Sequence, residues 1–240
     1  MSTWNQITHY LNEYYTWNGK NGLPRETLTQ LWLTFVAVLL AALVALPTGI
    51  ALGHAKRGTR TVTVIADATR SVPTYGLLVL LAGIAVIGVG NQAAVIALAV
   101  FALAPILVNA QVGVGSVDPD AIEAARGMGM SGRQVLTRVE LPLALPLLAA
   151  GLRTAGVQTC ATATLAAFVG GGGLGAPINL GQAQASNGRG ELIVGALAVI
   201  VLTIVVEVVL AALQAVLTPG TRTRSVLLRL RTGRAVATSA

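Results

Sequence analysis

Residues 118–142 read DPDAIEAARGMGMSGRQVLTRVELP. Charge is dense here (Asp118, Asp120, Glu123, Arg126, Arg133, Arg138, Glu140), in a chain that is 54% hydrophobic and only 10% charged. Asp118-Pro119 is a helix start, because Asp caps well and Pro is favoured at the first helical position. The helix AIEAAR is expected to stop at Gly127-Met128-Gly129, with Gly127 permitting the bend, since glycine is poor inside helices and good at their ends. Ser131 then caps a second helix, with Gln134 three residues on as in a capping box. That helix carries VLTRVEL and is expected to end before Pro142. The result is two short helices with a bend between them, too structured for a plain linker and too polar for lipid. An ordinary charged loop is the competing reading. The shape suits docking into a cleft on another protein.

The flanks are apolar. Crossing the hydrocarbon core takes about 20 apolar residues. Leu31–Leu52 is the first such run, with Pro47 as a kink. Ser71–Val117 carries no charge and is too long for one span, so the turn GVGNQ at 88–92 divides it into spans at 70–88 and 93–113, and the helix of the second span is expected to start near Val62 and break at Pro73. Pro142–Phe168 and Leu192–Leu217 complete an all-α membrane protein with five transmembrane helices. Between the last two lies GGGGLGAPINLGQAQASNGRG, 170–190, read as a Gly-rich polar loop. The chain divides into an extracytoplasmic amphipathic segment (1–30), a transmembrane domain (31–218) and a basic tail (219–240).

Mean hydropathy of +0.73 and the low charge exclude a soluble domain, where about a quarter of residues are charged. The net charge of +7 does not signal nucleic acid, because its basic residues border apolar runs. Lys56, Arg57 and Arg60 follow span one; Arg126, Arg133 and Arg138 follow span three; Arg222, Arg224, Arg229, Arg231 and Arg234 follow span five. Only Lys20, Arg25 and Arg189 fall on the opposite face. The positive-inside rule then puts the C-terminus and 118–142 in the cytoplasm and the N-terminus outside. No cleavable signal pattern is present. The single Cys160 allows no intrachain disulfide, and with His9 and His54 far off it gives no metal spacing. GGGGLG lacks the Lys-Ser or Lys-Thr of a phosphate loop, and no catalytic set is evident, so the chain is expected neither to hydrolyse ATP nor to be an enzyme.

The run EAARGMGMSGRQVLTRVELPLALP (123–146) resembles the EAA loop of permease subunits of bacterial ABC importers. SVPTYGLLVLLAGIAVIGVG (71–90), ALAPILVNAQVGVGSVDP (102–119) and GLRTAGVQTCATATLAAFVGGGGLG (151–175) resemble the branch that handles glycine betaine, choline and carnitine. The likeness spans roughly 60–218. It implies a type I ABC importer (MetI-like) permease fold in the inner membrane, docked on a separate cytoplasmic ATPase that carries ATP and magnesium. A second permease subunit, identical or sister, and an extracytoplasmic solute-binding protein would complete the machine; no cofactor is expected on this chain. By position, Glu123, Ala124, Ala125 and Gly127 form the motif core, Gly129, Leu141 and Pro142 complete it, and Asp120 belongs to the docking surface. Small Ala124 and Ala125 would allow close approach, and Glu123 could pair with a basic partner group. Alternatives are import of an amino acid such as methionine, or an ATP-independent channel or secondary transporter; the latter is disfavoured by the few ionisable groups in the spans.

Glu207 lies inside the last span, and Arg153 reaches a similar depth, so a buried Arg153–Glu207 pair joining two helices is expected. Tyr75, Thr162, Thr164 and Phe168 are candidate pathway residues; Tyr75 could receive a quaternary ammonium on its ring. Asp67 and Arg70 are spaced to pair at the span-two boundary. Trp4, Tyr10, Tyr14, Tyr15 and Trp17 suggest an amphipathic segment on the membrane surface rather than an aromatic cage. RTRSVLLRLRTGR (222–234) reads as a basic piece attracted to anionic lipid.

Overall fold

A computed structural model of the chain describes residues 2–19, 21–84, 88–185 and 187–218, except the side chains of Tyr14 and Arg70. The Asp67–Arg70 pair and the basic tail therefore lie outside the described residues. All regular elements described are helical: α1 (Thr3–Asn12), α2 (Tyr14–Asn18), α3 (Leu23–His54), α4 (Thr59–Ser71), α5 (Thr74–Ala82), α6 (Asn91–Gly115), α7 (Pro119–Gly127), α8 (Gly132–Val135), α9 (Leu141–Thr162), α10 (Gly175–Ala183) and α11 (Arg189–Leu217). A π turn, Leu136–Glu140, joins α8 to α9, and a 3-10 segment, Ala163–Val169, extends α9. Among the described residues, four helices are long and apolar enough to cross a membrane, or up to five if the bent pair α4–α5 counts as one span.

That bend is 73°. Pro73 causes it: the residue before a proline is pushed out of the helical region, and Val72 is extended. Pro47, by contrast, lies within the continuous α3.

The centre of the bundle is α6, against which α3, α4, α5 and α9 pack. Residues Ala37, Ala41, Ala45, Gly49 and Gly53 of α3 recur every fourth position and are all buried. Such a stripe lets two helix backbones approach closely in lipid, where apolar side chains gain little from leaving their surroundings. The approach is tight: a Cβ on Gly49 would sit 2.6 Å from the Cβ of Ala110 on α6.

Three expected boundaries move. The first helix starts at Leu23, eight residues before the apolar run, because Pro24 sits in its first turn and Glu26 is turned inward. The second helix of 118–142 does not stop before Pro142 but runs through the π turn into the span. Residues 170–190 are not all loop; they contain α10, which packs on α11 and on the 3-10 segment.

Candidate functional site

At one end of the bundle, α7 and α8 form a hairpin. Asp118 Oδ1 accepts from the Asp120 N–H at 3.0 Å, and Gln134 Oε1 reaches back to the Ser131 N–H at 2.8 Å, so both starts are capped locally. The bend is made at Gly129, not at Gly127: Gly129 has φ +83, while Gly127 remains helical. The Gly129 N–H donates to the Arg126 carbonyl and the Met130 N–H to that of Ala125, closing off α7. Ala125 also departs from expectation. It is buried with Val117, Ile122 and Val135 in the hairpin's own small core, so its size serves the approach of α7 to α8. Asp120, Glu123, Ala124 and Gly127 are exposed, as is Met128 at 72%, an apolar side chain that sequence reasoning passed over. A Cβ on Gly127 would meet nothing within 4 Å. Among the described residues, nothing covers this face.

The root of the hairpin is the π turn. Pro142 has no N–H to give the carbonyl four residues back, and its ring would collide with it. The wider turn, in which the Leu141 N–H bonds the Leu136 carbonyl, relieves this. Residues five apart on an α-helix point about 140° apart; in the wider turn they come closer to one face. Val135 and Glu140 both point inward, Glu140 only 2% exposed. Glu140 Oε2 lies 2.5 Å from Nδ1 of His54, the last residue of α3. Leu141 is half-buried and Pro142 exposed.

At the opposite end the glycine run folds over the start of α3. Gly172, Gly173 and Leu174 present successive N–H groups to Asn91 Oδ1 (2.9 Å), Glu26 Oε2 (2.5 Å) and Gln30 Oε1 (3.0 Å). Gln30, fully buried, also donates to the Cys160 carbonyl (2.8 Å) and to Thr164 Oγ1 (3.0 Å). Glu26, Gln30 and Asn91 were not singled out from sequence; a polar residue in a helix's first turns looks like a solvated end until its partner is seen. Thr164 is thus tied into the interior clamp, and Thr162 donates to the Gln158 carbonyl of its own helix. Tyr75 and Phe168 are brought together, edge to face, with ring centroids 6.2 Å apart beside the Pro73 break.

Arg153 and Glu207 do pair, with Gln214 Oε1 accepting a second Arg153 bond at 3.2 Å. The pair is not buried within the chain: the side chains are 36% and 39% exposed, because Arg153 projects to the edge of the α9–α11 contact, into a cleft shared with Thr154 and Gln158. Replacing Glu207 by Leu leaves a lone guanidinium at span depth, and is expected to cut the yield of folded protein. The Arg153→Leu/Glu207→Leu double variant is expected to recover it, as measured by monodisperse yield in detergent. Equal yields for single and double variants would remove the pairing argument.

The aromatic N-terminus is not a free surface helix. α1 packs on α11, and a Cβ on Gly190 would lie 2.4 Å from the Gln6 carbonyl. Between them lies a cavity of about 670 Å³ lined by His9, Tyr10, Glu13 and Glu191 among others. Burial first, and then the carboxylates of Glu191 and Glu13, push the Tyr10 hydroxyl up to about 12. Trp4 and Trp17 stay exposed, and Trp17 Nε1 donates to the Leu11 carbonyl at 2.8 Å.

A family model described as "binding-protein-dependent transport system inner membrane component" matches residues 37–223. The choline transport system permease protein OpuBB of Bacillus subtilis is 35% identical over 216 residues, covering 88% of this chain and 95% of that protein. The carnitine transport permease protein OpuCB of Listeria monocytogenes is 39% identical over 203 residues, covering 84% and 90%. Among solved structures, an inward-facing form of the MetNI methionine ABC transporter matches with a TM-score of 0.70 at 26% identity, covering 82% of this chain and 96% of that one.

Proposed function

The chain belongs to the family of binding-protein-dependent transport system inner membrane components, and on that premise we propose how this ABC importer permease subunit is driven and what it carries. As a member of that family it is a multi-pass protein of the bacterial inner membrane. Its substrate is an osmoprotectant of the quaternary ammonium class, such as choline, carnitine or glycine betaine. The 118–140 hairpin faces the cytoplasm and docks in a groove of a separate ATPase, which binds ATP and magnesium. The N-terminus and the glycine clamp face outward, where a solute-binding protein delivers the substrate. A second permease subunit completes the pathway.

The observation that carries this reading is the capped hairpin whose outer face, Glu123, Ala124, Gly127 and Met128, is exposed among the described residues. A rigid, exposed helical surface with an apolar knob and a small residue beside it is suited to a protein partner. The choice of solute rests on the choline and carnitine permeases at 35–39% identity. The methionine transporter, at 26%, supports the fold more than the solute. Tyr75 and Phe168, at the broken helix, supply the aromatic surface a quaternary ammonium favours.

The test uses proteoliposomes holding the permease with its operon's ATPase and binding protein. Uptake of labelled choline, carnitine and glycine betaine is expected only with ATP at the ATPase face and binding protein on the other. Uptake indifferent to ATP would replace this reading with a channel or carrier. ATP-dependent uptake of methionine in place of all three would keep the machine and overturn the solute.

A further inference from the structure

The docking hairpin could move as a loose flap or pull the bundle with it. Two features decide between these. The first is the contact at its root. Glu140 is buried to 2% exposure in a segment otherwise rich in exposed charge, and its carboxylate lies 2.5 Å from His54 Nδ1. The second is where His54 stands. It closes α3, whose Gly49 and Gly53 are pressed against the backbone of α6 around Leu107 and Gln111. The other ring nitrogen, Nε2, faces the start of α8, 3.9 Å from where a Cβ on Gly132 would be. One imidazole therefore contacts the far end of the α8–π-turn limb at Glu140, lies near its start at Gly132, and belongs to the helix packed on α6.

We propose that the His54–Glu140 contact is the tie by which displacement of the docking hairpin is passed to the α3–α6 pair, so that both residues are positioning residues for coupling ATP hydrolysis to transport. The proposal rests on the importer reading above. The π turn is what makes the tie possible: it turns Glu140 toward α3 while letting α9 continue past Pro142. π turns inserted in α-helices are frequent at functional positions. A buried carboxylate with a specific partner is costly to leave unpaired, so the contact persists as the hairpin shifts and the load goes through it. Without it, the hairpin is held to the bundle by its covalent continuity with α6 and α9, by the small core around Val117 and Val135, and by Leu136 and Leu141, which pack with Ala110 and Val114 of α6 and Ile50 of α3; these apolar contacts can slide, whereas the His54–Glu140 contact is directional.

The test is the number of solute molecules taken up per ATP hydrolysed in the same proteoliposomes, for wild type, Glu140→Gln, His54→Gln and the double variant. Both single variants are expected to hold the ATPase and hydrolyse ATP while uptake per ATP falls about 10-fold, within the range of coupling changes from single substitutions. The double variant is expected to lose no more than either single one, because one contact is removed in each case. A merely structural contact would lower the amount of complex and leave the ratio unchanged, and that result overturns the proposal, as do losses that add. Should Glu140→Gln not fold, His54→Gln alone decides, since that side chain is 30% exposed; an unchanged ratio there is again fatal. A wild-type complex without ATP-dependent uptake would remove the premise. Wild-type uptake with unaffected variants removes only the tie.

Discussion

Gly127→Asp is expected to lower ATP-driven uptake about 100-fold, and Glu123→Arg/Gly127→Asp to abolish retention of the ATPase during purification, with the permease itself still folded. The separation follows from geometry. A Cβ on Gly127 meets nothing within 4 Å among the described residues, and both residues are exposed. Within the isolated permease the only penalty is a negative charge at a helix C-terminus, roughly 0.5 kcal/mol. Against a docked partner the same carboxylate loses its water without gaining a cation, at a cost of about 3 kcal/mol, which is a factor of about 100 in affinity. The readouts are co-purified ATPase per permease, uptake, and melting temperature in detergent. Full ATPase retention and uptake in the double variant would mean that this face is not the docking surface. A collapsed melting temperature would mean that the residues serve the hairpin's own fold.

Gly175→Ala is the counterpart within the fold. Its Cβ would fall 1.9 Å from the carbonyl oxygen of Thr164 and 3.0 Å from the Ala167 side chain. The first obstacle is backbone, so no rotamer change relieves it. α10 must lift off the 3-10 segment, loosening the clamp that Glu26 and Gln30 make with Gly173 and Leu174. Overpacking of this kind costs about 1–3 kcal/mol or more. At about 2–4 °C per kcal/mol for a chain of this size, the melting temperature is expected to fall by roughly 5–10 °C. Gly76→Ala is the control: it adds the same methyl where the nearest atom would be 3.7 Å away, and is expected to melt with wild type or slightly above it. Thermal unfolding followed by size-exclusion fluorescence separates the two. Equal melting of Gly175→Ala and wild type would show that the 164–175 contact bears no load.

Much of the chain was legible because its signals are local. The N-caps at Asp118 and Ser131 bond partners two or three residues away, so their hydrogen bonds could be read from spacing and were found as read. The break at Pro73 follows from one steric clash. The division at GVGNQ holds, with α6 starting at Asn91. The Arg153–Glu207 pairing was reachable because ionisable groups inside apolar runs are few. The errors have a common source. Gly127 and Gly129 are equivalent in sequence, and only the path of the chain decides which takes positive φ. Ala125 sits in an exposed motif, yet the return of α8 buries it. Pro142 looks like a helix end, but a π turn carries the helix past it. The polar run at 170–190 hides α10, because glycines that look like loop residues are there for close packing.

Sequence alone determined that this is a helical membrane protein with a capped polar hairpin between apolar spans, because span length, proline sterics and capping all act within a few residues. It also carried the family resemblance. Tertiary structure alone decided what that hairpin is fastened to and how the far end is held. Glu140 meets His54 across 86 residues, and Glu26 meets Gly173 across 147. Such pairs have no spacing signature: which polar side chain escapes lipid, and into whose backbone, depends on how the small-residue stripe of α3 seats against α6.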